Sequence, residues 1–256
     1  MKIPLIEVKL SRSYCLYDFL SRLSYYGPYE KERILYSKRL RKIRNVFFEF
    51  VAKNRGKNYE FFIKNISKFS NKYFRSLWRE FSPILSKQHS RIKTIIKKDG
   101  ESYLKKILSI TKIKKYPYKK IIVFLSFPKI VQIKPRKYGS TGSPNVYGDI
   151  CKIYIGLSPN GEYKDANDLY VLWHEIIHSI EIPRWVREDI REAIAELYED
   201  IIRETPKRML GGRLFRVFKR YPEKLRGDFI KTCVNWDWKK KDIFELEAIL
   251  ARKLRS

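Results

Sequence analysis

The chain has 256 residues with 44% hydrophobic and 15% aromatic side chains, enough apolar material for one large core or two small ones and too much for a disordered polyelectrolyte. The 56 lysines and arginines against 28 acids give a formal charge of +28, which attracts polyanions and makes nucleic acid the partner to expect, although no DNA- or RNA-binding motif accompanies it. Three scattered cysteines, Cys15, Cys151 and Cys233, exclude a CxxC zinc site and a disulfide framework, and the lack of any run of about 18 uncharged apolar residues excludes a helical membrane span. A soluble, cytoplasmic protein with a thermophile-like Lys, Ile and Tyr bias is the expectation.

From residue 14 to 112 apolar residues recur at three and four spacing and predict successive helices. These are CLYDFLSRLSYY, YEKERILYSKRLRKIRNVFFEFVAKN, a stretch from Tyr59 to Leu85, and HSRIKTIIKKDGESYLKKILSI. Gly27-Pro28, Gly56 and Ser82-Pro83 punctuate them. Near Tyr116 the pattern turns to β: YKKIIVFLSF, KIVQIKP and, after the loop YGSTGSPNVYGD, the alternating ICKIYIGL. Asp165 or Asp168 then caps a helix through LYVLWHEIIHSI, and Pro183 turns the chain into a second helix from about Val186 to Arg203. The remainder is helical and basic with a break at Gly211-Gly212. The expected fold is α+β: a basic all-helical domain over residues 1–112, then residues 113–256 with a short mixed or antiparallel sheet, two functional helices and a helical C-terminus.

His174, Glu175 and His178 form HExxH, whose i,i+4 spacing sets two imidazoles on one helix face about a turn apart, as a shared metal ion requires. Glu175 beside the first histidine has the position of a general base. Leu169, Leu172, Ile176 and Ile180 fall on the opposite face and can bury the helix's back. A catalytic zinc needs a third protein ligand and an open position for water. The remaining histidine, His89 in SKQHS, is distant in sequence, so a carboxylate is expected. Between Glu181 and Glu204 the chain carries eight acids and four arginines, the reverse of its overall balance.

HExxH followed by REAIAE (Arg191–Glu196) resembles the thermolysin-type gluzincin metallopeptidases, whose following helix carries a pattern close to NEAxSD. The resemblance covers roughly residues 116–204 and implies a zincin-like domain, one zinc per chain, and Glu192 as third ligand. Glu196, one turn on, would orient a zinc-bound histidine, His174. Arg191 stands where the family has Asn, and the interval from His178 is shorter. Related families place the ligand three residues after the Trp of PxWxxE, which points from Trp185 to Glu188, so Glu188 and then Glu196 remain alternatives as direct ligand. The resemblance also implies that the strand Cys151–Leu157 lies at the cleft edge and pairs with an extended peptide.

The function expected is a zinc-dependent metallopeptidase acting on a peptide or protein substrate, in which metal-activated water attacks and Glu175 shuttles the proton. The alternative is a nucleic-acid-binding protein whose zincin domain is inactive or structural. DNA-associated HExxH proteases combine both features but use a third histidine.

Overall fold

The computed structural model describes residues 3–25, 38–57, 59–70, 72–127, 129–131, 137–139, 141–157, 161–181, 187–204 and 207–254. In chain order these form β1 (Leu5–Lys9), α1 (Arg12–Tyr25), α2 (Lys38–Lys53), α3 (Tyr59–Asn65), α4 (Lys72–Thr111), β2 (Lys120–Ser126), β3 (Lys129–Val131), β4 (Lys137–Gly139), β5 (Thr141–Tyr147), β6 (Ile150–Gly156), α5 (Tyr170–Glu181), α6 (Glu188–Arg203), α7 (Lys207–Val217), α8 (Glu223–Val234) and α9 (Ile243–Lys253). Helix dominates, and the broad α+β expectation holds.

The four-stranded sheet runs β1-β2-β6-β5. β1, β2 and β6 are mutually parallel, and β5 alone runs antiparallel, against β6. The antiparallel alternative is therefore corrected: the sheet is mainly parallel with one reversed edge strand. β2 and β6 are buried along nearly their whole length, as strands covered on both faces must be. Ile121, Val123, Leu125, Cys151, Ile153 and Ile155 belong to the main core, while Ile122, Phe124 and Tyr154 face Tyr14 and Tyr17 of α1 and Ile63 of α3. Tyr14 stacks on Phe124 with centroids 3.8 Å apart.

Several expectations about organisation are corrected. The first 112 residues are not all-helical, because LIEVK forms β1 and pairs in register with β2, Val8 opposite Val123. Buried residues on both sides of residue 113, from Cys15 and Leu16 to Leu246 and Leu250, form one contiguous core, so sheet and core packing both cross the expected domain boundary. Nor does Ser82-Pro83 end a helix. α4 is a single helix of 40 residues with Pro83 inside it, and Leu77, Phe81, Leu85 and Ile92 are all buried. Burial at about 1.5–3 kcal/mol per large side chain outweighs the roughly 3 kcal/mol an interior proline costs. Similarly, α7 runs straight through Gly211-Gly212.

The predicted loop at 138–149 contains β5, and β3 pairs with β4 as a separate antiparallel ribbon. Pro144 can sit in β5 because an edge strand tolerates a missing N–H. β6 is consequently interior, between β2 and β5, and the sheet edge beside α5 is β5. The role of cleft-edge strand expected for Cys151–Leu157 cannot fall to β6. Residues 29–37 of the helix predicted over 29–54, and the turn at Pro183, lie outside the described residues.

Candidate metal centre

α5 begins where the sequence says it should. A 3₁₀ turn, Ala166–Leu169, leads into it, and the Asp165 side chain accepts a hydrogen bond from Asn167 N at 2.7 Å while Asp168 accepts from Asp165 N at 3.3 Å. This reciprocal capping satisfies amides that a helix start leaves unpaired. Trp173 Nε1 donates to Ala166 O at 2.6 Å, and its ring stacks on Tyr103 of α4 with centroids 4.8 Å apart. Leu169, Leu172, Ile176 and Ile180 are buried as expected. The opposite face of α5 is thereby held in a fixed direction, toward α6.

On that face the imidazoles of His174 and His178 lie with centroids 4.6 Å apart. His178 Nε2 is 3.1 Å from Glu192 Oε2, and His174 Nε2 is 3.6 Å from Glu192 Oε1. One donor atom from each of the three residues lies within 4.8 Å of the others. A tetrahedral zinc with ligand bonds near 2.0–2.1 Å needs donors about 3.3 Å apart, so this group fits a metal ion without rearrangement of the helices. The histidine side chains are nearly buried, at 12% and 11% exposure, whereas Glu192 retains 42%. The centre is backed by protein and approached from solvent on the Glu192 side.

Of the alternatives for the third ligand, Glu192 is the carboxylate that meets both histidines. Glu188 is exposed at the start of α6. Glu196 neither joins the donor group nor orients His174: its Oε2 pairs with Arg213 Nε at 3.1 Å. The expected orienting role is corrected to Glu199, whose Oε2 lies 3.1 Å from His174 Nδ1. Glu199 Oε1 in turn accepts from Arg203 at 2.9 Å and Arg213 at 3.5 Å. A histidine that donates from Nδ1 to a carboxylate keeps a lone pair on Nε2, where a metal needs it. The pairings 178 with 192 and 174 with 199 run in opposite sequence directions, as two antiparallel helices require.

The electrostatics follow from this geometry. Burial works against a charge on His174, but the carboxylates of Glu192 and Glu199 prevail and raise its pKa to about 10. Burial likewise opposes charge on Glu192, yet the two histidines beside it hold its carboxyl far below the usual carboxylate range. Glu199 is lowered against its own burial by His174, Arg203 and Arg213, while burial raises Glu196 despite Arg213. Without a metal, the carboxylates of Glu192 and Glu199 thus hold a proton on His174 that a bound dication would displace.

Glu175 is buried at 7% exposure. Behind the motif Tyr116 hydroxyl meets Ser179 Oγ, which donates to Ile176 O at 2.6 Å. Burial there pushes the Cys151 thiol up to about 11, so it is a neutral packing group and no competing ligand. His89 Nε2 lies 3.1 Å from Val8 O and ties α4 to β1, consistent with its exclusion as ligand. Arg191, the departure from the family pattern, donates to His178 O at 3.4 Å and so supports the end of α5. Sequence reading missed Glu199, Arg203 and Arg213. Glu199 could have been found, since seven residues after Glu192 is two helical turns on nearly the same face.

No helix among the described residues is long and apolar enough to cross a membrane. Comparison with known proteins gave no matching family model, no similar curated protein and no similar solved structure.

Proposed function

We propose that this chain is a zinc-dependent peptidase of gluzincin type. The observation that carries the reading is the convergence of His174 Nε2, His178 Nε2 and the Glu192 carboxylate from consecutive helices, with Glu175 adjacent to the first histidine. Two nitrogens and one carboxylate are the donor set of catalytic rather than structural zinc, leaving a coordination position for substrate or water. When bound there, zinc supplies Lewis acidity, lowering the pKa of water and polarising a scissile carbonyl.

The chain's own residues supply the rest. Glu175 takes a proton from the attacking water and delivers it to the leaving amine. Glu199 fixes the tautomer and direction of His174, itself held by Arg203 and Arg213. Among the described residues β5 pairs only with β6 and lies beside α5, so its outer edge is the place where an extended peptide can add as a further strand. Recognition through backbone pairing accepts many sequences.

The test is peptide hydrolysis by zinc-loaded protein and its Glu175→Gln variant, with zinc content measured on both. Activity should fall by about 10²–10⁴-fold, the usual worth of a general base, while the zinc content stays the same. Unchanged hydrolysis in a fully loaded variant would sink the assignment.

A further inference from the structure

The positive charge of this chain is not spread evenly over its surface. Between Lys72 and Lys98, α4 carries eight cations and a single acid, Glu80, and all nine are exposed. At 1.5 Å per residue this stretch is about 39 Å long, the length of roughly eleven base pairs at 3.4 Å each. Arg79, Lys87, Arg91 and Lys98 fall within about 120° of one another around the helix axis at 100° per residue, so they form one ridge. The opposite face, with Phe81, Leu85, Ile92 and Ile95, is buried in the core, which fixes the direction in which the ridge faces. Among the described residues none of these four cations has an acidic partner, whereas Lys105 and Lys106 further along α4 pair with Glu101 and Glu204.

We propose that this face of α4 is a docking surface for the phosphate backbone of double-stranded nucleic acid, bound without regard to base sequence. Charge complementarity to a long, stiff polyanion is the argument. A membrane-binding helix needs apolar side chains at its rim, and among the described side chains from 72 to 98 no large hydrophobic residue is exposed. A single-strand binder stacks bases on aromatic rings, and no described aromatic side chain is exposed along the ridge. Because the far end of the same helix packs on α5 and α6 through Tyr103 and Lys106, a bound duplex would be held rigidly with respect to the metal centre.

The experiment uses the full chain and a fluorescent 20-base-pair DNA of random sequence, followed by anisotropy over a range of KCl concentrations. The ridge variant Arg79→Gln, Lys87→Gln, Arg91→Gln, Lys98→Gln is compared with a control of equal charge, Arg216→Gln, Lys219→Gln, Lys224→Gln, Lys231→Gln, which changes exposed cations of α7, α8 and the segment between them. Circular dichroism verifies that both variants fold. Each phosphate contact contributes about 0.9 to the slope of log K against log salt. The ridge variant should lose about 3 to 4 from that slope and on the order of 10³-fold in affinity at 0.1 M salt, with the control near wild type. Equal losses in both variants, no duplex binding by wild type at low salt, or preferential binding to phosphatidylserine vesicles would each overturn the proposal.

Discussion

Replacing Glu199 by Gln tests the metal centre at the point where the structure departs from the family pattern. Its two oxygens do different work: Oε2 faces His174 Nδ1 at 3.1 Å, and Oε1 faces Arg203 and Arg213 at 2.9 and 3.5 Å. An amide cannot serve both. With its carbonyl toward His174, its NH₂ meets two guanidinium groups; turned round, the NH₂ meets the imidazole N–H. Either way one buried contact sets donor against donor, and the histidine loses the negative partner that makes Nε2 a stronger ligand. Loss of an outer carboxylate of this kind weakens metal binding about 10–100-fold, or roughly 1.4–2.7 kcal/mol. Zinc affinity would be read by competition with a chromophoric chelator, alongside Glu196→Gln, whose carboxylate pairs with Arg213 and not with a histidine. If Glu196→Gln weakened zinc while Glu199→Gln did not, the orienting role assigned to Glu199 would be wrong.

Two predictions concern pH. In the metal-free protein His174 titrates near 10, above the ordinary 6.5, so its ion pairs stabilise the fold fully below about pH 6.5 and are lost as pH rises through 10. Zinc must displace that proton: calorimetry in buffers of different ionisation enthalpy should show about one proton released at pH 8, with apparent affinity rising about tenfold per pH unit. No buffer dependence would mean that His174 is already neutral. Asp189, near the start of α6, is opposed by burial but held by Tyr221, Arg220 and Arg187, which together lower its pKa to about 2. That stabilisation is present above about pH 3.8 and lost as pH falls through 2. Asp189→Asn should therefore unfold more easily at pH 7, by about 2 kcal/mol, with the difference from wild type closing below pH 4 in acid titration of the fold; a gap independent of pH would contradict it.

What the sequence disclosed was whatever depends on local spacing. HExxH places two imidazoles on one face because four residues make nearly one turn, and the caps at Asp165 and Asp168 are written within four residues of each other. Glu192 was legible because its helix follows directly. The fork between Glu196 and Glu199 was not, since both lie within about 40° of Glu192 around the axis and only the antiparallel course of α5 past α6 decides which reaches His174. β1 and β5 were unreadable for a different reason. One is five residues long and the other holds Gly, Ser, Pro and Asn, so their own preferences are weak, and pairing with β2 and β6 makes them strands. Pro83 and Gly211-Gly212 misled in the reverse sense, because burial of the apolar face held each helix together.

The acids of α6 explain how a site that could hold a metal ion is built into so basic a chain. Their excess calls for nearby cations, and most of these are arginines. Arg213 of α7 alone meets Glu196, Glu199 and Asp200, Arg187 and Arg220 meet Asp189, and Lys106 meets Glu204. Buried carboxylates need such partners, since an isolated charge inside a protein is far too costly. Glu192 differs from all of these in that it has two histidines in place of a permanent cation. Its counter-charge is removable: a proton can leave, and a dication can enter, without leaving a fixed guanidinium in the way. Fixed cations therefore lock α6 against α4 and α7 and leave one exchangeable position, the one that faces α5.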